Sequence, residues 1–222
     1  MSPTMRAAFL GMALLAPLAV SSQEAQTAEK PDVKPGDRWV YRQMDYWTNQ
    51  VTSVVTREVV NVTRDVIQLV SKGGDGKEFD EVHTAHWNIV VLRNAVYEPH
   101  DGMLQFPLQV GKTYPVAYEV AFGPTRSFRA RVERTARVVG WEDVEVPAGK
   151  FRALKIELDG SYQRLDTAAA GKARNVIWYS PVVKRWVKRT YEDSSPMTGP
   201  FYGVRFDLQT FEPVEIARKR KP

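Results

Sequence analysis

The segment from Phe128 to Val139 alternates between apolar and polar side chains, and it constrains the fold more than any other part of the sequence. Its even-numbered positions are apolar except for Arg134, and its odd-numbered positions up to Arg137 are charged or polar. Because successive side chains of a strand point to opposite faces, this period of two predicts a half-buried β-strand. An unpaired guanidinium is costly to bury, so Arg134 should pair with a carboxylate, reach a wet cavity or mark a bulge. An ion pair or a bulge is the expected arrangement.

The rest of the chain after the amino terminus also favours strands. The 9 Phe, 9 Tyr and 6 Trp suit a pleated, half-buried surface, and no stretch keeps a helical period. The sequence therefore predicts an all-β domain over residues 35–215, built as a single antiparallel curved sheet, an open barrel or a sandwich-like arrangement. Further strands are predicted at 38–41, in two parts of 51–70, and at 79–93, 151–158, 175–180, 184–191 and 202–211.

The amino terminus has the pattern of a signal peptide. Arg6 supplies a positive charge before the apolar run 7–20, and a cleavage step after Ser21 fits the small residues there. The run is shorter than the roughly 20 residues that a membrane-spanning helix needs. We therefore predict a signal peptide at 1–21, a polar linker at 22–34, and a periplasmic or secreted location.

Cysteine usage and charge narrow the set of partners. The chain has no cysteine, so it offers no thiol for a lipid anchor, a disulfide or a zinc site, and it should be soluble rather than membrane-spanning. Basic residues concentrate between Lys172 and Arg189 and in the tail 216–222. They could face a lipid or another cell-envelope component, although a solvated strand face and a frayed end are the simpler interpretation. An exported protein has little occasion to bind nucleic acid, and the oligomeric state stays open.

Four short motifs follow one another along the chain, each a turn followed by a strand. Together they span most of residues 34–192 and resemble a group of exported bacterial proteins classed only as a domain of unknown function. The resemblance implies an antiparallel β architecture and a periplasmic location, and it supplies no catalytic residue. The motifs are Lys34-Pro35-Gly36-Asp37-Arg38-Trp39, Leu104 to Lys112, Val146-Pro147-Ala148-Gly149-Lys150-Phe151, and Trp178-Tyr179-Ser180-Pro181 with Val187-Lys188-Arg189.

Histidines are the candidates for hydrolytic or metal chemistry. His83 and His86 could act with nearby carboxylates, but a spacing of three along a strand places them on opposite faces. Joint coordination would therefore need a bulge or a turn. No phosphate-binding loop or nucleophile elbow is present. The sequence predicts no catalytic residue, no metal site and no cofactor, and it favours a protein that is not an enzyme.

Tryptophans are spread over the whole chain and allow two interpretations. They fill an ordinary β core, which is the expected arrangement, or several of them line a cavity for acyl chains or sugars. If the interior is open, the candidate ligand-binding residues are Arg134, Trp87, Trp178 and Trp186. Arg134 would then suit an anionic head group.

Three functions remain compatible with these patterns. The leading hypothesis is a non-enzymatic exported binding or scaffold domain whose ligand the sequence does not identify. The second is a periplasmic carrier of lipid-like molecules in an open β-barrel, and the third is a metal-dependent hydrolase. A filled core would favour the scaffold, and clustered histidines and carboxylates would favour the hydrolase. A cavity-facing Arg134 ringed by aromatic residues would place the carrier above the scaffold.

Overall fold

The computed structural model describes residues 27–167, 169–194 and 202–212. These residues form fourteen β-strands and no α-helix. No helix long and apolar enough to cross a membrane is found among them. The predicted signal peptide at 1–21 and the predicted basic tail at 216–222 lie outside the described residues.

Twelve of the strands close into one antiparallel barrel, which confirms the all-β prediction. Neighbours in the chain are mostly neighbours in the barrel, and the last strand closes on the second. The strands are β1 (Thr27–Ala28), β2 (Arg38–Asp45), β3 (Val51–Val62), β4 (Val66–Lys72), β5 (Glu78–Thr84), β6 (Ile89–Leu92), β7 (Ala95–Glu98), β8 (Leu108–Gln109), β9 (Thr113–Phe122), β10 (Phe128–Val146), β11 (Gly149–Arg164), β12 (Ala170–Ser180), β13 (Arg185–Ser194) and β14 (Tyr202–Glu212). The barrel order is β2 to β7, then β9 to β14, with β14 paired to β2.

In strand β10 the alternation of apolar and polar residues corresponds to the inner and outer faces of the barrel wall. From Ala130 to Val138 every even-numbered residue is buried and every odd-numbered residue is exposed. The strand does not end near Val139 as predicted but continues to Val146. A register shift between Val138 and Gly140 bends it against β11, because the unpaired residue of a bulge kinks a strand without interrupting it.

One end of the barrel interior is filled. Large side chains from several strands are fully buried there, among them Trp39, Tyr41, Leu154, Ile156 and Tyr179. The segment 99–107 packs against this end, and its Phe106 contacts the ring of Tyr179 with centroids 5.1 Å apart. The hydrophobic core therefore closes one end of the barrel.

Part of the stretch 22–34, which the sequence assigns to a linker, packs against the barrel. Strand β1 pairs with β8 in a small separate sheet, with Ala28 opposite Leu108. Ala28 and Val33 are both buried in the core. The composition of this stretch is polar, but two apolar side chains suffice to hold it once a partner strand is available.

Candidate ligand-binding site

The other part of the barrel interior is a cavity of about 930 Å³. Apolar side chains of β9 and β10 form one wall of it, namely Val120, Phe122, Ala130 and Val132. The cavity extends to the β11–β12 hairpin, where Arg164 and Thr167 line it. Phe128 lies beside Phe122 at a centroid distance of 5.6 Å and is 41% exposed, so solvent is nearest at this end. We call this end the mouth.

Arg134 marks the inner limit of the cavity on β10. It lines the cavity, whereas the next inward residue, Ala136, is fully buried in the filled core. Pairing is regular at Arg134, with Val116 on one side and Gly160 on the other, so no bulge turns the side chain outward. Arg134 is 7% exposed, and its Nε and Nη1 have no hydrogen-bond acceptor among the described residues. The expected ion pair and the expected bulge are thus both wrong, and Arg134 faces the cavity.

The other arginines of the cavity have polar partners. Arg134 has no such hydrogen bond or ion pair among the described residues: the ring of Tyr191 lies 5.8 Å from its guanidinium carbon, and its charge acts at longer range on Asp101. The pairs are Arg57 with Glu81 at 2.9 Å, Arg164 with Asp166, Arg185 with Glu81 at 3.8 Å, and Arg189 with the side-chain oxygen of Asn175 at 3.3 Å.

Glu81 is the centre of a buried charged network on β5. Its side chain is 1% exposed and accepts hydrogen bonds from Arg57 Nε at 2.9 Å and Ser71 Oγ at 2.8 Å. His83 Nε2 lies 3.0 Å from the other oxygen. Burial alone would raise the pKa of Glu81, but the Arg57 charge and His83 outweigh it and hold the pKa well below its usual range. The carboxylate is therefore ionised and fully engaged.

Arg185 is held in a box of aromatic rings. Its guanidinium carbon lies 4.5 Å from the ring centroid of Trp87, 5.4 Å from that of Trp39 and 5.6 Å from that of Trp186. Cation–π contacts of this kind are strongest where water is excluded, and Arg185 is 3% exposed. The rings and Glu81 together compensate this charge within the protein.

Asp101 completes the charged part of the cavity near Arg134. It is 1% exposed, and one of its oxygens accepts a hydrogen bond from the backbone N–H of Ile89 at 2.8 Å. Burial raises the pKa of Asp101 to about 6, although Arg189 and Arg134 act in the opposite direction. We call Arg134, Asn175, Arg189 and Asp101 the floor cluster. With Asp101 ionised the floor cluster carries one net positive charge.

Asp101→Asn should make the protein more stable at pH 8 and leave it nearly unchanged at pH 4. The pKa of Asp101 is raised by folding to about 6, so the proton it holds favours the folded state at acid pH and that contribution is lost as the pH rises through 6. Asparagine mimics the protonated acid at every pH. The variant should therefore gain roughly 2–3 kcal/mol over the parent between pH 4 and pH 8. Urea unfolding at both pH values measures this, and a difference independent of pH would contradict it.

Three of the four site residues predicted from the sequence line the cavity, and the fourth does not. Trp87 and Trp186 line the cavity together with Arg134. Trp178 lies on the outer face of the barrel, where its Nε1 donates to Glu142 at 2.8 Å. Its neighbour Ile177 takes the inward position and lines the cavity.

The two histidines considered for metal binding lie in different surroundings. His83 is buried in the barrel, and its Nδ1 lies 3.3 Å from the carbonyl oxygen of Trp87. His86 lies in the turn after β5 and contacts the ring of Phe106. Within the described ranges no group of three or more His, Asp or Glu side chains is placed to hold a metal ion.

Several residues of the cavity were not predicted from the sequence. Arg185 and Arg189 were assigned to an outward basic face, whereas both line the interior. The sequence does indicate an inward position for Arg185, because the residues two positions away on either side of it are the apolar Val183 and Val187. Arg57 is flanked in the same way by Val55 and Val59, as Arg134 is by Val132 and Ala136.

No protein-family model matches this sequence, and no curated protein matches it. Among solved structures, the barrel is similar to a Bacteroides fragilis protein inferred to be exported and to have a YmcC-like fold, with 11% identity and a TM-score of 0.56 over 83% of this chain and 99% of that one. A protein from Parabacteroides distasonis inferred to be a lipoprotein gives 12% identity and a TM-score of 0.52 over 83% and 98%. Identities this low establish likeness of fold alone. That likeness agrees with the β architecture that the resemblance implied.

Proposed function

We propose that this chain is an exported binding protein whose barrel holds an amphiphile with an anionic head group. The observation that carries the proposal is Arg134, a nearly buried guanidinium with two unpaired nitrogens at the inner limit of a 930 Å³ cavity. Its surroundings include Tyr191, Tyr118 and the apolar wall of β9 and β10. An Arg134 that faces the cavity beside aromatic rings favours a carrier of lipid-like molecules over a scaffold domain.

The energetic argument starts from the cost of burying a charge. Removing an ion from water costs several kcal/mol unless a partner compensates it. Arg57 and Arg185 also keep unpaired nitrogens, but each forms an ion pair with Glu81, and Arg164 and Arg189 have polar partners too. Among the described residues Arg134 has neither an ion pair nor a hydrogen bond, so it is the position where a missing anion would complete the site. Proteins commonly retain destabilising groups where a function requires them.

The size and lining of the cavity support a bound small molecule over a purely structural barrel. A scaffold needs only a filled core, and one end of this barrel is filled in that way. The other end keeps a cavity within the usual volume range of small-molecule sites, lined by apolar side chains with a few convergent charges. An amphiphile matches both kinds of surface.

Export is supported by the sequence of the amino terminus and by the kind of protein that shares the fold. The segment 1–21 has the charge, apolar run and small residues of a signal peptide. Two similar structures belong to proteins inferred to be exported or lipid-anchored. We therefore propose a periplasmic or secreted location.

A hydrolytic function is less well supported by the geometry. Catalysis by a hydroxyl nucleophile needs a base within hydrogen-bond reach. Ser71 Oγ donates to Glu81, but Arg57 and His83 hold the pKa of that carboxyl well below its usual range, so it is a weak base. Both ring nitrogens of His83 are engaged, by Glu81 and by the carbonyl of Trp87. These groups hold the barrel together, and binding explains the cavity without them.

Arg134→Met should weaken ligand retention without harming the fold. The full chain, purified from a bacterial envelope extract, should carry an acidic amphiphile detectable by native mass spectrometry and released by organic solvent. Because a hydrogen bond to a charged group contributes about 1.5–3 kcal/mol, the variant should retain the molecule about 10–100-fold less well. Its thermal midpoint should stay the same or rise, since the substitution removes an uncompensated buried charge.

Arg131→Met is the matched control. Arg131 lies on the outer face of the same strand, 55% exposed and paired with Glu119 at 2.9 Å. This variant should retain the amphiphile as the parent does. If the parent carries no acidic amphiphile after exposure to the extract, or if Arg134→Met retains it equally, the proposed function is wrong.

A further inference from the structure

Resting on that proposed function, we infer that the ligand is a long-chain carboxylic acid bound with its carboxylate inward. The carboxylate pairs with Arg134, and the hydrocarbon chain runs along β9 and β10 towards the mouth. Three features carry this inference: the net charge of the floor cluster, the absence of space beyond Arg134 on its wall, and the order of side chains between Arg134 and the mouth.

The charge of the floor cluster matches a monoanion. Arg134 and Arg189 provide two positive charges, and Asp101, with a pKa raised to about 6, provides one negative charge at neutral pH. A carboxylate neutralises the remaining charge, whereas a dianionic phosphate monoester would leave an excess negative charge in a buried site. The unpaired nitrogens Nε and Nη1 lie on different edges of the guanidinium, and either of them can donate a hydrogen bond to a carboxylate oxygen.

The filled core limits what can extend past the anion. Ala136 follows Arg134 on the inward face of β10 and is fully buried, and so is Leu158, which pairs with it on β11. Tyr114, the partner of Ala136 on β9, is 5% exposed. An anion at Arg134 is therefore the terminal group on this wall. A carboxylate is terminal and fits this limit, whereas the second substituent of a phosphodiester would have to leave this wall and turn towards other cavity-lining residues such as Met103 and Leu104.

The wall between Arg134 and the mouth is apolar. The inward residues of β10 on this path are Val132 and Ala130, and those of β9 are Tyr118, Val120 and Phe122, so the one polar atom that these five side chains add is the Tyr118 hydroxyl beside Arg134. The six residues from Arg134 to Phe128 cover roughly 20 Å along the strand, since a strand rises about 3.4 Å per residue. A hydrocarbon chain attached to the carboxylate can follow this wall out to the exposed ring of Phe128.

The head group is tested with hexadecanoic acid and its methyl ester. Titrated into the delipidated full chain, the acid should bind at least about tenfold more tightly than the ester, because the ester lacks the charge that pairs with Arg134. In Arg134→Met the acid and the ester should bind alike, and in Arg131→Met the preference should persist. Equal binding of acid and ester to the parent would overturn the inference.

The orientation is tested with bromine as a contact quencher of tryptophan fluorescence. Trp87 and Trp186 line the inner part of the cavity, and the variant Phe122→Trp adds an indole near the mouth. With the carboxylate inward, 2-bromohexadecanoic acid should quench the interior indoles more than 16-bromohexadecanoic acid does. The added indole at position 122 should show the opposite order. The reverse pattern at both places would overturn the inward orientation.

Vesicles of dioleoyl phosphatidylglycerol separate the failure of this inference from that of the proposed function. If the protein extracts this phospholipid from vesicles and does not bind hexadecanoic acid, the carboxylic acid is the wrong ligand class and the binding function stands. If it takes up neither compound and carries no acidic amphiphile from the envelope extract, both proposals fall. Uptake of the acid with preference over its ester and the expected quenching order supports both.

Discussion

Replacing Glu81 by Gln should lower the free energy of unfolding by about 3–5 kcal/mol at pH 7, as expected when one partner of a buried ion pair is removed. Glutamine has nearly the same shape and keeps an oxygen for Arg57 Nε and Ser71 Oγ. The loss therefore reports the missing charge, which leaves Arg57 and Arg185 buried without a carboxylate. Urea unfolding followed by circular dichroism measures the change.

Glu119→Gln is the control for this prediction. Glu119 also pairs with two arginines, Arg129 and Arg131, but on the outer face of β9, where solvent screens the charges. Surface pairs of this kind contribute little, so the control should change the free energy of unfolding far less than Glu81→Gln does. Equal effects of the two substitutions would show that the Glu81 network does not stabilise the barrel.

The strand pattern of the sequence predicted the fold class because barrel strands have one buried face. The alternation in β10 is reproduced residue by residue in the burial of that strand. Closure into a barrel could not be predicted in the same way. It depends on β14 pairing with β2, more than 140 residues apart in the chain, and the alternation within a strand is the same in an open sheet.

Among the charged residues of the cavity, the sequence predicted only Arg134, where a charge breaks a long alternation. Arg134 stands out because the apolar positions around it are regular, whereas Arg185 sits between Lys184 and Trp186 in a stretch that reads as a basic surface. Comparing residues two positions apart, and not adjacent ones, places Arg185 with Val183 and Val187 on one face. Whether Arg185 is buried therefore depends on the face of the strand on which it lies, and not on the charge of its neighbours in the sequence.

Trp178 shows that composition alone does not tell which face of a strand a tryptophan occupies. A tryptophan in a strand of a β-barrel was a reasonable candidate for the interior, but the inward position in β12 belongs to Ile177. Trp178 is held outside by its hydrogen bond to Glu142 and by the cations of Lys155 and Lys188 near its ring. Long basic side chains cover an aromatic surface effectively, so a partly buried tryptophan on the outer face needs no ligand.

Gly160 connects the fold to the candidate site. It pairs with Arg134 across the β10–β11 ladder, and the two strands approach so closely that a Cβ at position 160 would lie 2.1 Å from the carbonyl oxygen of Glu133 and 2.6 Å from the Cα of Arg134. The obstructing atoms belong to the backbone. A side chain at this position therefore cannot be accommodated by a rotamer change and must separate the strands.

Gly160→Ala should consequently destabilise the protein by at least about 3 kcal/mol, which is the upper part of the range for overpacking. It should also weaken ligand retention, because the separated strands displace Arg134.

Gly140→Ala on β10 is the matched control, because a Cβ there meets no atom within 4 Å. That control should change the free energy of unfolding by less than about 1 kcal/mol, because Gly140, although it is at the register shift of β10, is not one of the glycines with positive φ and has open space for a Cβ. Thermal and urea unfolding of both variants, with native mass spectrometry of the retained molecule, measures both effects. Similar stability of the two variants would mean that β10 and β11 can separate at Gly160 without loss, and that the position of Arg134 does not depend on this close approach.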